Sequence, residues 1–142
     1  MSDDAATRLI DALRARATQL VSALGADACV ISRVLGDVLI IVTQATSGED
    51  VELDLGQGFL VSDYPLTQRV LAQREPVALT IADDRVDDAE ARLLVELGFG
   101  ALLMAPLEVN GEAWGLVEVY RREPNPFSAA ELATARQLAR VG

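Results

Sequence analysis

Glu118 stands in the run Leu116-Val117-Glu118-Val119-Tyr120, which is otherwise apolar or aromatic. A carboxylate drawn out of water must be paired, hydrated or bound to something. Two uses are open to it. It can end a strand, paired with Arg33 or reaching water, or it can face a ligand cavity. Tyr64 and Thr67 flank Pro65 at the start of a helical segment, where a ring and a hydroxyl either line a pocket or cap and staple their own helix. Phe59, a few residues upstream, is a further candidate for the lining. The acidic cluster Asp83, Asp84, Asp87, Asp88 and Glu90 has the composition of a hard-cation site but not the glycine and ligand spacing of an EF-hand loop. Asp87 or Asp88 is better used as an N-cap, and no metal is expected. Gly56-Gln57-Gly58 lacks the Lys-Ser/Thr of a phosphate loop and carries no site.

Other chemistry is excluded by what the sequence omits. It contains no histidine, which removes the commonest general base, the commonest transition-metal ligand and the usual axial ligand of haem. No serine can therefore join a nucleophilic triad of the usual kind. Cys29 is the single cysteine, so neither an internal disulfide nor a cysteine-based zinc site can form, and its apolar setting marks an inert core thiol. The net charge of −10 disfavours nucleic acid and anionic membranes. No apolar run approaches the roughly 18 residues of a membrane span, and the acidic start Met1-Ser2-Asp3-Asp4 is unlike a secretory signal. A cytoplasmic protein that binds rather than catalyses is expected, with no cofactor.

These residues need elements to hold them. At 142 residues the chain has the size of one domain. Ala6, Ile10, Leu13, Ala17, Leu20 and Leu24 recur at steps of four and three and form one stripe of a helix. That spacing is nearly a coiled-coil seam, so a homodimer through the terminal helices is expected. Strands over 28–35 and 38–46 flank a Gly36-Asp37 turn. A glycine-bearing loop with at most one short strand follows, then a helical run over 63–74, a strand over 77–81 and a helix over 89–97. Asn110-Gly111 predicts a two-residue type I′ turn between strands over 100–109 and 112–121. The capping box Ser128-Ala129-Ala130-Glu131 opens a last helix expected to run to Gly142. Counted through that turn, Leu107 faces Trp114, Ala105 faces Leu116, Leu103 faces Glu118 and Ala101 faces Tyr120, all on one side of the sheet. Pro106 has no N–H to give, so its strand should be unpaired or bulged on its outer side at that point.

The succession Tyr64-Pro65-Leu66-Thr67, Glu75-Pro76-Val77, Leu97-Gly98-Phe99-Gly100, Asn110-Gly111-Glu112-Ala113-Trp114-Gly115 and Pro126-Phe127-Ser128 closely resembles the GAF domain over nearly the whole chain. The resemblance implies an α+β fold with a PAS-like central antiparallel sheet of five to six strands. The N- and C-terminal helices would cover one face, and a pocket layer of helices and loops the other. It divides the chain into an N-terminal helix (1–25), a core (26–127) and a C-terminal helix (128–142) leading to further residues or an output domain. It further implies a regulatory sensor domain, and it turns Glu118 towards the pocket, because cyclic-nucleotide-binding members use a glutamate of the last strand in this way. Arg33, Phe59, Tyr64, Thr67, Leu103, Ala105, Leu116 and Glu118 are then the candidate pocket residues for an unknown small molecule.

Specialised versions of the family are not met. Arg121-Arg122 stand near the position of the cyclic-nucleotide signature's Asn-Lys, and Phe127 is followed by Glu131-Leu132 where that signature has Asp-Glu. Cys29 lies too early for a bilin attachment, and one cysteine cannot run a dithiol reductase cycle. The alternative to a sensor is a structural homodimerisation module whose pocket is filled by Trp114, Tyr64, Phe59 and Leu103.

Overall fold

The computed structural model describes residues 2–48, 58–82 and 88–142. The expectations placed on 83–87 and on Gly56-Gln57 lie outside them. The chain runs α1 (Ser2–Ala23), β1 (Ala28–Leu35), β2 (Val38–Thr46), β3 (Gly58–Leu60), a 3-10 turn (Val61–Asp63), α2 (Pro65–Gln73), β4 (Val77–Thr80), α3 (Asp88–Leu97), β5 (Ala101–Val109), β6 (Glu112–Arg121), α4 (Ala129–Leu138) and β7 (Arg140–Val141). The described strands form one mixed sheet in the order β3-β2-β1-β6-β5-β4, with β7 beside β5. Every pairing along that path is antiparallel, and β7 alone runs parallel to its neighbour among the described strands.

Both faces of the sheet are apolar and both are covered, as expected of strands without a wet side. On one face Leu13, Ala17 and Leu20 of α1, Leu24 just beyond it and Ala135 of α4 are buried against Cys29, Ile31, Leu103, Ala105, Val117 and Val119. On the other, Val70 of α2, Leu94 of α3 and Phe99 pack over Val30, Leu39, Ile41, Leu102, Met104, Leu116 and Tyr120. Most of the α1 stripe is therefore spent within its own chain rather than on a dimer seam. Ahead of Leu13, Leu9 and Ile10 are half-buried and Ala6 is exposed. No helix of the described residues is long and apolar enough to cross a membrane.

The β5–β6 turn forms as predicted. Asn110 and Gly111 both have positive φ, 52° and 81°, which a type I′ turn demands. The register beyond it is not the one counted from the sequence. Glu108 pairs with Ala113 but Leu107 pairs with Gly115, so Trp114 is an extra residue, a β-bulge. Past the bulge Met104 faces Glu118, Leu102 faces Tyr120 and Leu103 faces Val119. Because side chains alternate with a period of two, one inserted residue moves β5 from Ala101 to Leu107 to the other face relative to that count. A close backbone approach lies next to the bulge. At Gly115, β6 passes so close to β1 that a Cβ there would overlap the Ser32 carbonyl.

Pro106 falls on the outer edge of β5 between the end of β4 pairing at Met104 and the start of β7 pairing at Glu108. Its missing donor costs no ladder bond there. The C-terminal helix stops at Leu138 instead of running to Gly142. Glu108 N–H donates to Ala139 O at 2.9 Å and Asn110 N–H to Val141 O at 2.8 Å, which satisfies edge donors of β5 that a continued helix would leave open.

Candidate functional site

β6 runs down the middle of the sheet, and past its bulge the alternation puts Leu116, Glu118 and Tyr120 on the face away from α1 and α4. Glu118 has Val30 of β1 on one side and Met104 of β5 on the other. Above it lies a cavity of about 340 Å³, large enough for a compact organic molecule. Val30, Ser32, Leu39, Ile41, Leu102 and Met104 form its floor. Phe59 of β3, Tyr64, Thr67 of α2, and Leu93, Leu94, Glu96 and Leu97 of α3 form its walls and roof. Pro65 starts α2 at its first turn, where its missing N–H is harmless. That fixes Tyr64 and Thr67 over the sheet.

The polar groups of the cavity are held by specific contacts. Tyr120 donates its hydroxyl to Glu118 Oε2 at 2.9 Å. The Tyr120 ring is 4% exposed and stacks on Phe99 with centroids 4.9 Å apart. Burial first, then the Glu118 charge and the hydrogen bond, hold its phenol well above the usual tyrosine range, so it stays a donor. Thr67 Oγ1 lies 3.5 Å from Met104 Sδ, and the Phe59 and Tyr64 rings meet edge to face at 6.2 Å. Tyr64 makes no side-chain cap on α2, which leaves its ring to the cavity.

The structure brings together four of the eight candidate residues, Phe59, Tyr64, Thr67 and Glu118, around this cavity. Leu116 is fully buried in the same layer without lining it. Leu103 and Ala105 are corrected. The bulge at Trp114 turns them to the opposite face, under the terminal helices. Arg33 is also misplaced by the sequence reading. Its guanidinium lies 4.5 Å over the Trp114 ring, and it follows Ser32, which lines the cavity, so alternation directs it to the other side. Trp114 stays outside the cavity and does not fill it. Missed were Val30, Ser32, Leu39, Ile41, Leu102, Met104 and Tyr120 of the strands and Leu93, Leu94, Glu96 and Leu97 of α3. Cys29 is buried on the face under the terminal helices, and burial, reinforced by the Glu118 charge, pushes its thiol far up, away from nucleophile behaviour. Among the described residues no group of three or more His, Cys, Asp or Glu could hold a metal.

Directly after Tyr120, Arg121 gathers the ends of several elements. Its guanidinium donates to the carbonyl of Leu24 at the end of α1, to those of Asn125 and Pro126, and to Glu131 in the first turn of α4. It also lies 3.9 Å over the Phe127 ring. Glu131 completes the capping box with Ser128. The Ser128 N–H, aided by Arg121, draws the Glu131 carboxyl below the usual carboxylate range despite some opposing desolvation. Asp27, between α1 and β1, donates its N–H to Tyr120 O and accepts from Arg122 N–H.

A family model for the GAF domain matches residues 8–141. None of the curated proteins matches the sequence. Among solved structures, the phycocyanobilin-bound GAF domain from a cyanobacterial phytochrome superposes with a TM-score of 0.76 at 21% identity, over 92% of this chain and 82% of its own. The chromophore-binding domain of the R. palustris bacteriophytochrome RpBphP3 gives 0.77 at 16% identity, over 92% of this chain and 53% of its own. The GAF domain of a two-component sensor histidine kinase from Bacillus halodurans gives 0.64 at 18%, over 85% of this chain and 84% of its own. At such identities the likeness is one of fold.

Proposed function

The chain belongs to the GAF domain family, and from that membership we propose that it works as a cytoplasmic regulatory sensor. A small molecule occupies the cavity over Glu118, and its presence is passed through the terminal helices to an output domain or partner protein. The sensory role has support from the company the fold keeps, since the similar domains come from phytochromes and a sensor histidine kinase. No reaction is assigned to the site, because a sequence without histidine and with a buried, unreactive thiol offers no activated nucleophile.

The observation that carries the reading is the continuity of β6. Within four residues the strand passes from Glu118 and Tyr120 at the cavity to Arg121, which holds both α1 and the start of α4. A ligand that competes for Glu118 or shifts Tyr120 acts on a strand whose next residue anchors both helices. Differential contact of that kind is what a two-state response needs. In a homodimer through the terminal helices, the half-buried Leu9 and Ile10 are the α1 residues available to a second copy.

Hydrogen exchange on the protein as purified, and again after unfolding, desalting and refolding to strip any retained molecule, tests this. Slower exchange before stripping is expected both in the cavity elements and in residues 121–131. Protection confined to the cavity would refute transmission to the helices, and identical exchange throughout would refute occupancy.

A further inference from the structure

Ser32 stands in the cavity floor as a hydroxyl among apolar neighbours. Along β1 its side chain lies between those of Val30 and Val34, and across the ladders it faces Ile41 of β2 and Leu116 of β6. It lines the cavity and is 1% exposed, yet its hydroxyl makes no hydrogen bond to the described residues. A buried hydroxyl without a partner destabilises the fold that carries it, and an apolar side chain of similar size would not.

The backbone holds this hydroxyl in place. The register of β1 on β2 shifts between Ile31 and Ser32, an irregularity of the kind that re-aims a side chain. On the opposite side of β1 the Ser32 carbonyl lies against Gly115, where a Cβ would not fit. Ser32 therefore offers one group at a fixed point of the floor, able both to donate and to accept. Its four apolar neighbours give an ionic group no compensation for lost water, so a neutral group suits the place.

We infer that Ser32 determines the specificity of the cavity. The ligand brings a neutral hydrogen-bonding group, a hydroxyl, carbonyl or ring nitrogen, to Ser32 Oγ, on a body that is apolar where it meets Val30, Leu39 and Ile41. This rests on the cavity being a ligand site. Binding gives the hydroxyl the partner it lacks in the free protein, which favours such a ligand over an apolar molecule of the same shape.

Two ring probes of one shape test the assignment: 4-hydroxybenzyl alcohol, with a hydroxyl at each end, and 4-ethyltoluene, in which methyl groups replace both hydroxyls. Their dissociation constants are measured by ligand-observed NMR on stripped, refolded wild-type protein, on Ser32→Ala and on the cavity-filling Thr67→Phe, together with the urea midpoint of each protein. Ser32→Ala should weaken the alcohol about three- to tenfold, the worth of one hydrogen bond, and leave 4-ethyltoluene unchanged or tighter. It should unfold at a urea midpoint no lower than that of stripped wild type, because no bond within the protein is lost. Thr67→Phe should weaken both probes. Both probes changing equally in Ser32→Ala, or neither changing, would overturn the role of Ser32 and leave the ligand site standing. A lower midpoint for Ser32→Ala, or its failure to fold, would make the hydroxyl a structural partner and overturn the role too. Failure of both probes to bind wild-type protein at millimolar concentration would remove the ligand reading as well.

Discussion

Tyr120 and Glu118 lie two apart on one strand, the spacing that brings side chains to the same face of a sheet, and the hydroxyl meets the carboxylate at 2.9 Å. Tyr120→Phe removes the donor and with it one hydrogen bond to a half-buried carboxylate. The expected loss is about 1–2 kcal/mol in urea unfolding. Because the folded phenol is raised above its unfolded value, its contribution is complete below about pH 10 and declines as the pH rises beyond that. Stability of the wild type should therefore fall more steeply above about pH 10 than that of Tyr120→Phe. Cys29, buried with its thiol pushed up, should react with a thiol reagent at pH 8 only as fast as the protein unfolds. At this scale the sequence was legible where a residue's type was out of keeping with its neighbours, as with Glu118. It was illegible for Ser32 and Met104, whose types suit either face of a strand.

Elements decided the rest of the site. The alternation of β5 and β6 could be read from residue types, but their relative register depended on one residue, Trp114. Counting back from Asn110-Gly111 assumed an unbroken ladder and so put Leu103 and Ala105 in the pocket. The signal that could have corrected this was Gly115, since a glycine inside a strand often marks a bulge or a close backbone approach. Gly115→Ala should cost about 3 kcal/mol or prevent folding, because its Cβ would overlap the Ser32 carbonyl. A melting temperature within a degree or two of wild type would count against the close approach. Arg121 makes a second test. Its carboxylate partner Glu131 is lowered in the folded state, chiefly by the Ser128 N–H. That contribution is present above about pH 4 and lost as the pH falls through the lowered value. Hydrogen exchange should show 129–138 opening ahead of β5 and β6 on acidification, and Arg121→Gln should produce the same opening at neutral pH.

For the whole molecule, two-sided apolar strands implied helices on both faces, and the structure has the terminal helices on one face and α2 and α3 on the other. The heptad-like spacing of α1 could not reveal whether its partner was another copy or its own sheet, since both bury the same stripe. Leu20 is fully buried within the chain, so Leu20→Ala should cost about 2–5 kcal/mol, read as a fall in the unfolding midpoint at unchanged protein concentration. In the proposed function, a change at Glu118 would reach the terminal helices through β6 and Arg121, whose guanidinium bonds Leu24 and Glu131. The central claim is that the cavity is occupied by a small molecule, and native mass spectrometry of freshly purified protein tests it most directly. The account predicts a wild-type species heavier than the bare chain by a small organic molecule, released on denaturation and absent from Thr67→Phe. Wild-type protein at the mass of the bare chain, with nothing released on denaturation, would contradict it.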